Sequence, residues 1–365
     1  MDITLLVATL LLMLATLIPL SRHSHWFVRG FDFPRLQLTI FAALVLGLQG
    51  GFINWQEPLN FGLLIITTTC LIWHLWWIAP YTPIWPTEVK SAPKSDEPIG
   101  LSIITANVLM SNRDAEPLLA LVKSYRPDIL VTLESDDWWQ SQLDDLESIM
   151  PYTVKCPLDN LYGMHVYSRL PLSDSEISFL VEKDVPSIHT LVSLENGEQV
   201  RMHFLHPAPP SPTENEHSTP RDAELVIVGR SVMKSQQPVI VTGDLNDVAW
   251  SPTTRLFRKI SGLLDPRVGR GMFNTFHAQW PCFRWPLDHL FHSEHFTLHT
   301  LKRLPSIGSD HFALYSRLTL TPGKETGQQG LQAEKSDEVW AREITSDKQV
   351  DDSSVPKPGN NRNLK

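Results

Sequence analysis

Three stretches near the start of the chain carry no charge: residues 3–20 (ITLLVATLLLMLATLIPL), 36–53 (LQLTIFAALVLGLQGGFI) and 61–78 (FGLLIITTTCLIWHLWWI). Each has about the length a helix needs to cross hydrocarbon, roughly 20 residues. One such run could be a buried soluble helix; three in close succession predict three transmembrane helices. Trp55, Trp76, Trp77, Tyr81 and Trp85 fall where interfacial aromatics belong. The first run does not read as a cleaved signal, because MDIT carries no basic residue and no small-residue cleavage site follows. Arg22, Arg29 and Arg35 lie in the first connection, against Glu57 in the second. The positive-inside rule then puts the first connection, and everything after Ile78, in the cytoplasm, and Lys90 and Lys94 agree.

The pattern changes after this 1–80 region. Residues 81–98 are proline-rich and read as a semi-extended linker. From residue 99 to 320, short apolar runs alternate with turn chemistry: GLSIITANV, DILVTLE, MHVYSR, IHTLVSLE, QVRMHFLH, PVIVTGDLN, DHLFHS, FTLHTLKRL and FALYSRLTL. Helical periodicity is confined to RDAEPLLALVKSYRP and to about Arg221–Ser235. Many strands with few helices, in two groups, predict sheet packed on sheet with flanking helices in place of a regular βαβ fold. Residues 321–365 mix charge, Gly and Pro with little apolar periodicity, which predicts disorder.

Composition narrows the partners. A formal charge of −9 argues against a protein that coats nucleic acid non-specifically, though a local basic cleft would survive that average. Cys70, Cys156 and Cys282 form neither a disulfide framework nor a metal signature.

Candidate chemistry sits at the ends of the apolar runs. Asn107, Glu134, His206, Asp244 and Asn246 end strands, Asp288 begins one, and Asp310 and His311 precede the last. Singly each has a plain explanation: Asn107 could terminate a strand, Asp288 could balance Arg284, and His289 could be a satisfied core histidine. Together they suggest one rim, where a rigid scaffold holds polar side chains and loops admit substrate.

The ordered motifs ITANV, TLES, GMHVYSR, HFLHPAPP, TGDLND, PLDHLF and GSDHFAL resemble the endonuclease/exonuclease/phosphatase superfamily, the DNase I-like fold, over about residues 99–320. The three-helix start resembles a membrane-attached bacterial subgroup related to the YafD-like proteins. The resemblance implies a four-layer α/β sandwich of two packed sheets flanked by helices, following the three transmembrane helices. It also implies hydrolysis of phosphodiesters or phosphomonoesters in nucleic acids or lipid head groups, with Mg²⁺, or Mn²⁺ in its place, as cofactor. Glu134 is then the leading metal ligand, since hard carboxylate oxygen suits Mg²⁺. Asn107 adds a carbonyl ligand or holds a metal-bound water, and Asp310 offers a second metal contact. His311 pairs with Asp288, and either deprotonates water or stabilises the phosphoryl charge. Asp244 activates water or serves the leaving group through water, while Asn246 and His206 donate to phosphoryl oxygens.

Departures from the pattern are TLES in place of a glutamine–glutamate ending, and His165 on an otherwise apolar strand. Arg221 is either a phosphate donor or a solvated arginine at a helix start. A membrane-tethered binding protein that kept the fold without turnover is the rival reading from another functional class.

Overall fold

The computed structural model describes residues 3–52, 57–93, 99–321 and 327–359. Trp55 and Lys94 lie outside the described residues. In chain order the elements are α1 (Ile3–Leu17), α2 (Trp26–Arg29), α3 (Arg35–Phe52), α4 (Pro58–Ile78), β1 (Gly100–Asn107), α5 (Glu116–Tyr125), β2 (Ile129–Leu133) and α6 (Asp137–Leu143). There follow β3 (Tyr152–Cys156), β4 (Met164–Ser168), β5 (Leu172–Ser178), β6 (Ser187–Ser193), β7 (Gln199–Leu205), α7 (Thr219–Met233), β8 (Val239–Asp244) and α8 (Pro252–Ser261). The chain continues through β9 (Asp288–His292), β10 (Phe296–Ser306), β11 (Phe312–Leu320) and α9 (Lys335–Lys348).

Two mixed sheets, ordered β10-β11-β1-β2-β4-β3 and β5-β6-β7-β8-β9, face each other. Between them Ile103, Val131, Val166, Phe204, Ile240 and Leu318 form a continuous apolar core. The outer face of the first sheet is covered by α5 and α6 through Leu118, Val122 and Trp139, and that of the second by α7 and α8 through Leu225, Val228 and Phe257. Strands β1 and β2 pair in parallel and are buried on both faces, which is why their sequences are near-continuous apolar runs. The expected layered sandwich is therefore present. Strands β3 and β5 were not expected from sequence; both are sheet edges, and the exposed LSDSEIS of β5 has no inward apolar alternation to read.

Helices α1, α3 and α4 belong to the three segments long and apolar enough to cross a membrane. Their polarity is inside-out. Gln49 donates to Thr9 (2.9 Å) and Thr67 (3.1 Å) in the middle of the bundle, while Leu11, Leu44, Phe61 and Ile72 face outward.

The bundle is fastened to the sandwich. Trp26 N–H donates to the Glu216 carbonyl (2.9 Å), and Trp250 Nε1 to that of Asp32 (3.0 Å). Ile78 and Tyr81 pack with Val248, Trp250 and Val268. The proline-rich segment is likewise held: Val89 is buried, and residues 90–92 lie along β10 through Leu298 N–H to Lys90 O (2.9 Å) and Ala92 N–H to Leu298 O (2.8 Å).

The disorder expected for residues 321–365 does not hold for the described part. Helix α9 begins with a capping box between Glu334 and Asp337, and packs Ala341 and Ile344 onto Ala223, Leu256 and Ile260 of α7 and α8. Its apolar face is narrow, and charged residues fill the rest, so composition hides it.

Candidate active site

The strand ends converge because of register. Asn107 and Leu133 are partners across β1 and β2, which sets Glu134 beside Asn107. Asp244 and Asp288 are partners across β8 and β9 in the other sheet. Thr105 and Thr242 join the two sheets just below, Oγ1 to Oγ1 at 2.9 Å. The last contribution crosses between the sheets: His311, beside β11, enters between the two aspartates. Its Nδ1 lies 2.8 Å from Asp288 and its Nε2 3.5 Å from Asp244. Backbone supports hold this arrangement, with Asp288 N–H donating to Thr275 Oγ1 (3.2 Å) and His311 N–H to Ser309 Oγ (3.0 Å).

Asn107 binds the two halves. Its amide NH₂ donates to Glu134 (2.7 Å) and to Asp244 (3.2 Å). Its carbonyl accepts from Leu109 N–H (3.1 Å), which fixes the amide orientation. Asn107 is thus an organiser of carboxylates, and its carbonyl oxygen, which accepts from Leu109 N–H, keeps a second lone pair. Glu134 itself has φ +59°. A non-glycine residue in that region costs about 1–3 kcal/mol and persists where the surroundings over-determine it. Here the surroundings include the bond from Ser135 N–H to Gly163 O (3.0 Å), an approach only glycine permits, since a Cβ at 163 would sit 2.0 Å from Ser135 O.

The loop after β8 has two functions. Asn246 N–H donates to Asp244 Oδ1 (2.9 Å), and the Asn246 amide donates to Pro207 O (3.1 Å). Asp247 turns the other way, accepting from Val248 N–H (2.9 Å) and from Ser251, the cap of α8. Arg221 is neither a free phosphate donor nor solvated. It is buried against Asp222 (2.8 Å) and Asp247 (3.4 Å), and donates to the Asn246 carbonyl (2.7 Å). His289 is a satisfied core histidine, bonded to Asp247 O (2.9 Å) and Arg267 (2.7 Å).

The charges follow from burial and neighbours. Burial opposes the charge on His311, but Asp288 and Asp244 outweigh it and hold the imidazolium up to about 10. Burial would raise Asp244, yet His311, His206 and the Asn246 and Asn107 donors keep it below its ordinary value. Burial pushes Glu134 up to about 7 against the Asn107 donor, and Asp310 and Asp244 add to the rise. His206 is lowered to about 4 by burial, so it is neutral, with Nδ1 buried and unpartnered.

Glu134, His206, Asp244, Asp310 and His311 line one cavity of about 320 Å³ that also contains Asn246, Tyr162, Glu214, Phe276 and Phe33, with no Lys or Arg among the described lining residues; Asp288 and Asn107 stand behind its wall. Phe33, Tyr162 and Glu214 escaped sequence reading. They lie in connections with no strand to announce them, and the Tyr162 hydroxyl donates to Glu214 across the cavity.

A divalent cation fits this donor set. Ligand atoms of Asp244, Asp288 and His311 lie within 4.8 Å of one another. Both His311 nitrogens face carboxylates and an imidazolium has no lone pair to give, so the hard oxygens are the available donors. Glu134 stands beside this cluster, its carboxylate held by the Asn107 amide.

The fold and this acidic, histidine-bearing cluster define a metal-dependent phosphoric ester hydrolase. The chain belongs to the Endonuclease/Exonuclease/phosphatase family, whose description it matches over residues 104–311, more than half its length. Its fold is similar to that of D. rerio TDP2 complexed with single strand DNA product, at 17% identity and TM-score 0.50, covering 60% of this chain and 99% of that one. It also resembles the human Nocturnin catalytic domain with bound sulfate anion, at 16% identity and TM-score 0.49, over 62% of this chain and 97% of that one. A family protein from Beutenbergia cavernae matches at 16% identity and TM-score 0.49, over 61% and 72%. No curated protein matches.

Proposed function

We propose that this protein is a membrane-anchored phosphodiesterase whose catalytic domain faces the cytoplasm of a bacterium, in the membrane-attached YafD-like branch of its family. The observation that carries the reaction is the Asp288–His311–Asp244 chain beside Glu134 in one cavity. Asp244, ionised at neutral pH, accepts a proton from the attacking water. The His311 imidazolium, oriented by Asp288, donates from Nε2 to a phosphoryl oxygen as negative charge grows there. Neutral His206 and the Asn246 amide add donors to the same oxygens. Glu134 and Asp310 are the residues that would hold Mg²⁺, or Mn²⁺, with Asn107 keeping the Glu134 carboxylate in place. When bound, the cation supplies Lewis-acid stabilisation of charge at the phosphoryl group.

Anchoring is supported by the three apolar helices with inward polar groups, a pattern suited to lipid. Orientation rests on Arg22, Arg29 and Arg35; Asp32 in the same connection does not cancel them, because acidic residues count little in that rule. Nucleic acid as substrate draws support from the DNA product held by D. rerio TDP2, but a cavity lined by acids is poorly matched to a long polyanion.

The test is hydrolysis of a bis-aryl phosphodiester by the full-length protein in detergent, titrated with Mg²⁺. Turnover should require the cation, and Glu134→Gln should weaken Mg²⁺ binding measured by calorimetry. Metal-independent turnover, or equal Mg²⁺ affinity in the variant, would refute the assignment. A reporter fused after Lys348 should be active on the cytoplasmic side; periplasmic alkaline phosphatase activity there would reverse the orientation.

A further inference from the structure

The active-site cavity adjoins a second, larger one of about 450 Å³, and Phe33 and Pro210 line both. Its walls come from Trp26, Phe33 and Pro34, between α1 and α3, and from Pro212, Phe283 and Trp285 of the catalytic domain. That size falls within the roughly 300–1,000 Å³ usual for small-molecule sites. Polar groups are few, and three lining residues carry buried atoms without hydrogen-bond partners: Arg29 Nε and Trp285 Nε1, both donors, and Gln37 Oε1, an acceptor. Phe27, Trp280 and Phe283, in the segments that build this cavity, are more than half exposed. Exposed aromatics beside the start of a membrane helix are what a bilayer interface selects.

We propose that the substrate is a membrane phospholipid. Its phosphodiester lies among Glu134, Asp244 and His311, and one acyl chain occupies the cavity between the start of α3 and the Phe283–Trp285 loop. This rests on the phosphodiesterase reading above. The two cavities adjoin in the order an amphiphile requires, with a cation-seeking acidic end and an apolar end, and the α3 segment walls the apolar one. In the reaction water adds to phosphorus, one P–O ester bond breaks, and the departing oxygen takes a proton to leave as an alcohol. The phosphate stays on the other product, and no reactant besides water is consumed.

The experiment compares two phosphatidyl substrates with the same head group, one with butanoyl and one with hexanoyl chains, both monomeric in water below their micelle-forming concentrations, with the full-length protein held in amphipol. A single-stranded oligonucleotide is run alongside. The hexanoyl substrate should be favoured in kcat/KM by at least about 10-fold, what burial of roughly two methylenes gives. Gly30→Phe should bring that ratio close to one. Gly30 lines the cavity, has φ −58°, and nothing lies within 4 Å of an added Cβ, so the ring enters open space. Binding of a fluorescent, non-hydrolysable long-chain phosphonate gives a readout free of turnover: it should saturate with the parent and weaken in Gly30→Phe. Equal kcat/KM for both chain lengths, an unchanged ratio and affinity in the variant, or preference for the oligonucleotide would each overturn the proposal. Chain-dependent binding without turnover would support the lipid cavity and refute the hydrolysis reading alone.

Discussion

Below the rim, Arg29, Arg35 and Arg221 meet Asp32, Asp222 and Asp247; at the rim, Glu134, Asp244, Asp288 and Asp310 meet His311. The lower group is buried throughout, while at the rim Glu134 and Asp310 are only half-buried, and the turn at the end of β8 feeds both, Asp244 going up and Asp247 going down. In the lower group each carboxylate has a guanidinium within 3.4 Å. In the upper group four acids share one imidazolium. Buried charges are tolerated when paired, and a site with more acid than base has been left wanting a cation. The lower group lies where the helical segment meets the sandwich, a junction that Arg29 crosses by donating to Thr253 Oγ1; the upper group is the one proposed for chemistry. Similar residue types therefore do opposite jobs, and charge balance separates them better than burial does.

Substitutions should divide along the same line. The largest effect is expected for Asp244→Asn, which removes the base: kcat/KM on a phosphodiester should fall roughly 10²–10⁴-fold. Its melting temperature should fall only modestly, because Asp288 still holds the imidazolium while the weaker His311 contact at 3.5 Å loses its charge. His311→Gln should lose both activity and stability, since two buried aspartates then lose their cation. Kinetics and thermal melts on the same preparations check this, and near-parent turnover in Asp244→Asn would break the comparison from above.

From below, Arg221→Met should cost about 3–5 kcal/mol by stranding Asp222 and Asp247, a fall on the order of 10 °C in Tm. A melt within about 1 °C of the parent would show that the lower group is not structural.

The smallest effect concerns an acid in neither group. Glu224 on α7 is buried with Oε1 unpartnered, and burial, with the Glu182 charge, raises it to about 8. The unfolded chain loses this proton first, so stability is full below the unfolded pKa and falls as pH rises toward the folded value. Glu224→Gln should flatten that decline, by at most about 1.4 kcal/mol per pH unit between pH 5 and 8. Parallel pH–stability curves for parent and variant would remove Glu224 as a lone buried charge.

The rim was legible in sequence because each contributor ends or begins an apolar strand: TGDLND and GSDH announce themselves by abrupt polarity after a buried run. The lower group was not, since Asp32 and Asp247 are brought together only by tertiary packing, and Arg29 and Arg35 read as loop charge. Helix α8 could have been found: Ser251 caps it, Leu256, Phe257 and Ile260 share a face, and Gly262 ends it with φ +69°. The edge strands β3 and β5 and helix α9 lacked such a face. Glu214 and Tyr162 stand in connections whose path is set by what they pack against, and periodicity carries no information there.

The segment that follows the apolar helices also changes the fate of β10. An outer strand leaves a row of backbone groups ready to recruit a strand from another chain. Residues 90–92 occupy part of that row on β10, on either side of Leu298. The segment is therefore a guard against strand exchange between neighbouring molecules. Cutting the chain at residue 99 should yield a sandwich domain with a bare edge, and a tendency to assemble through it.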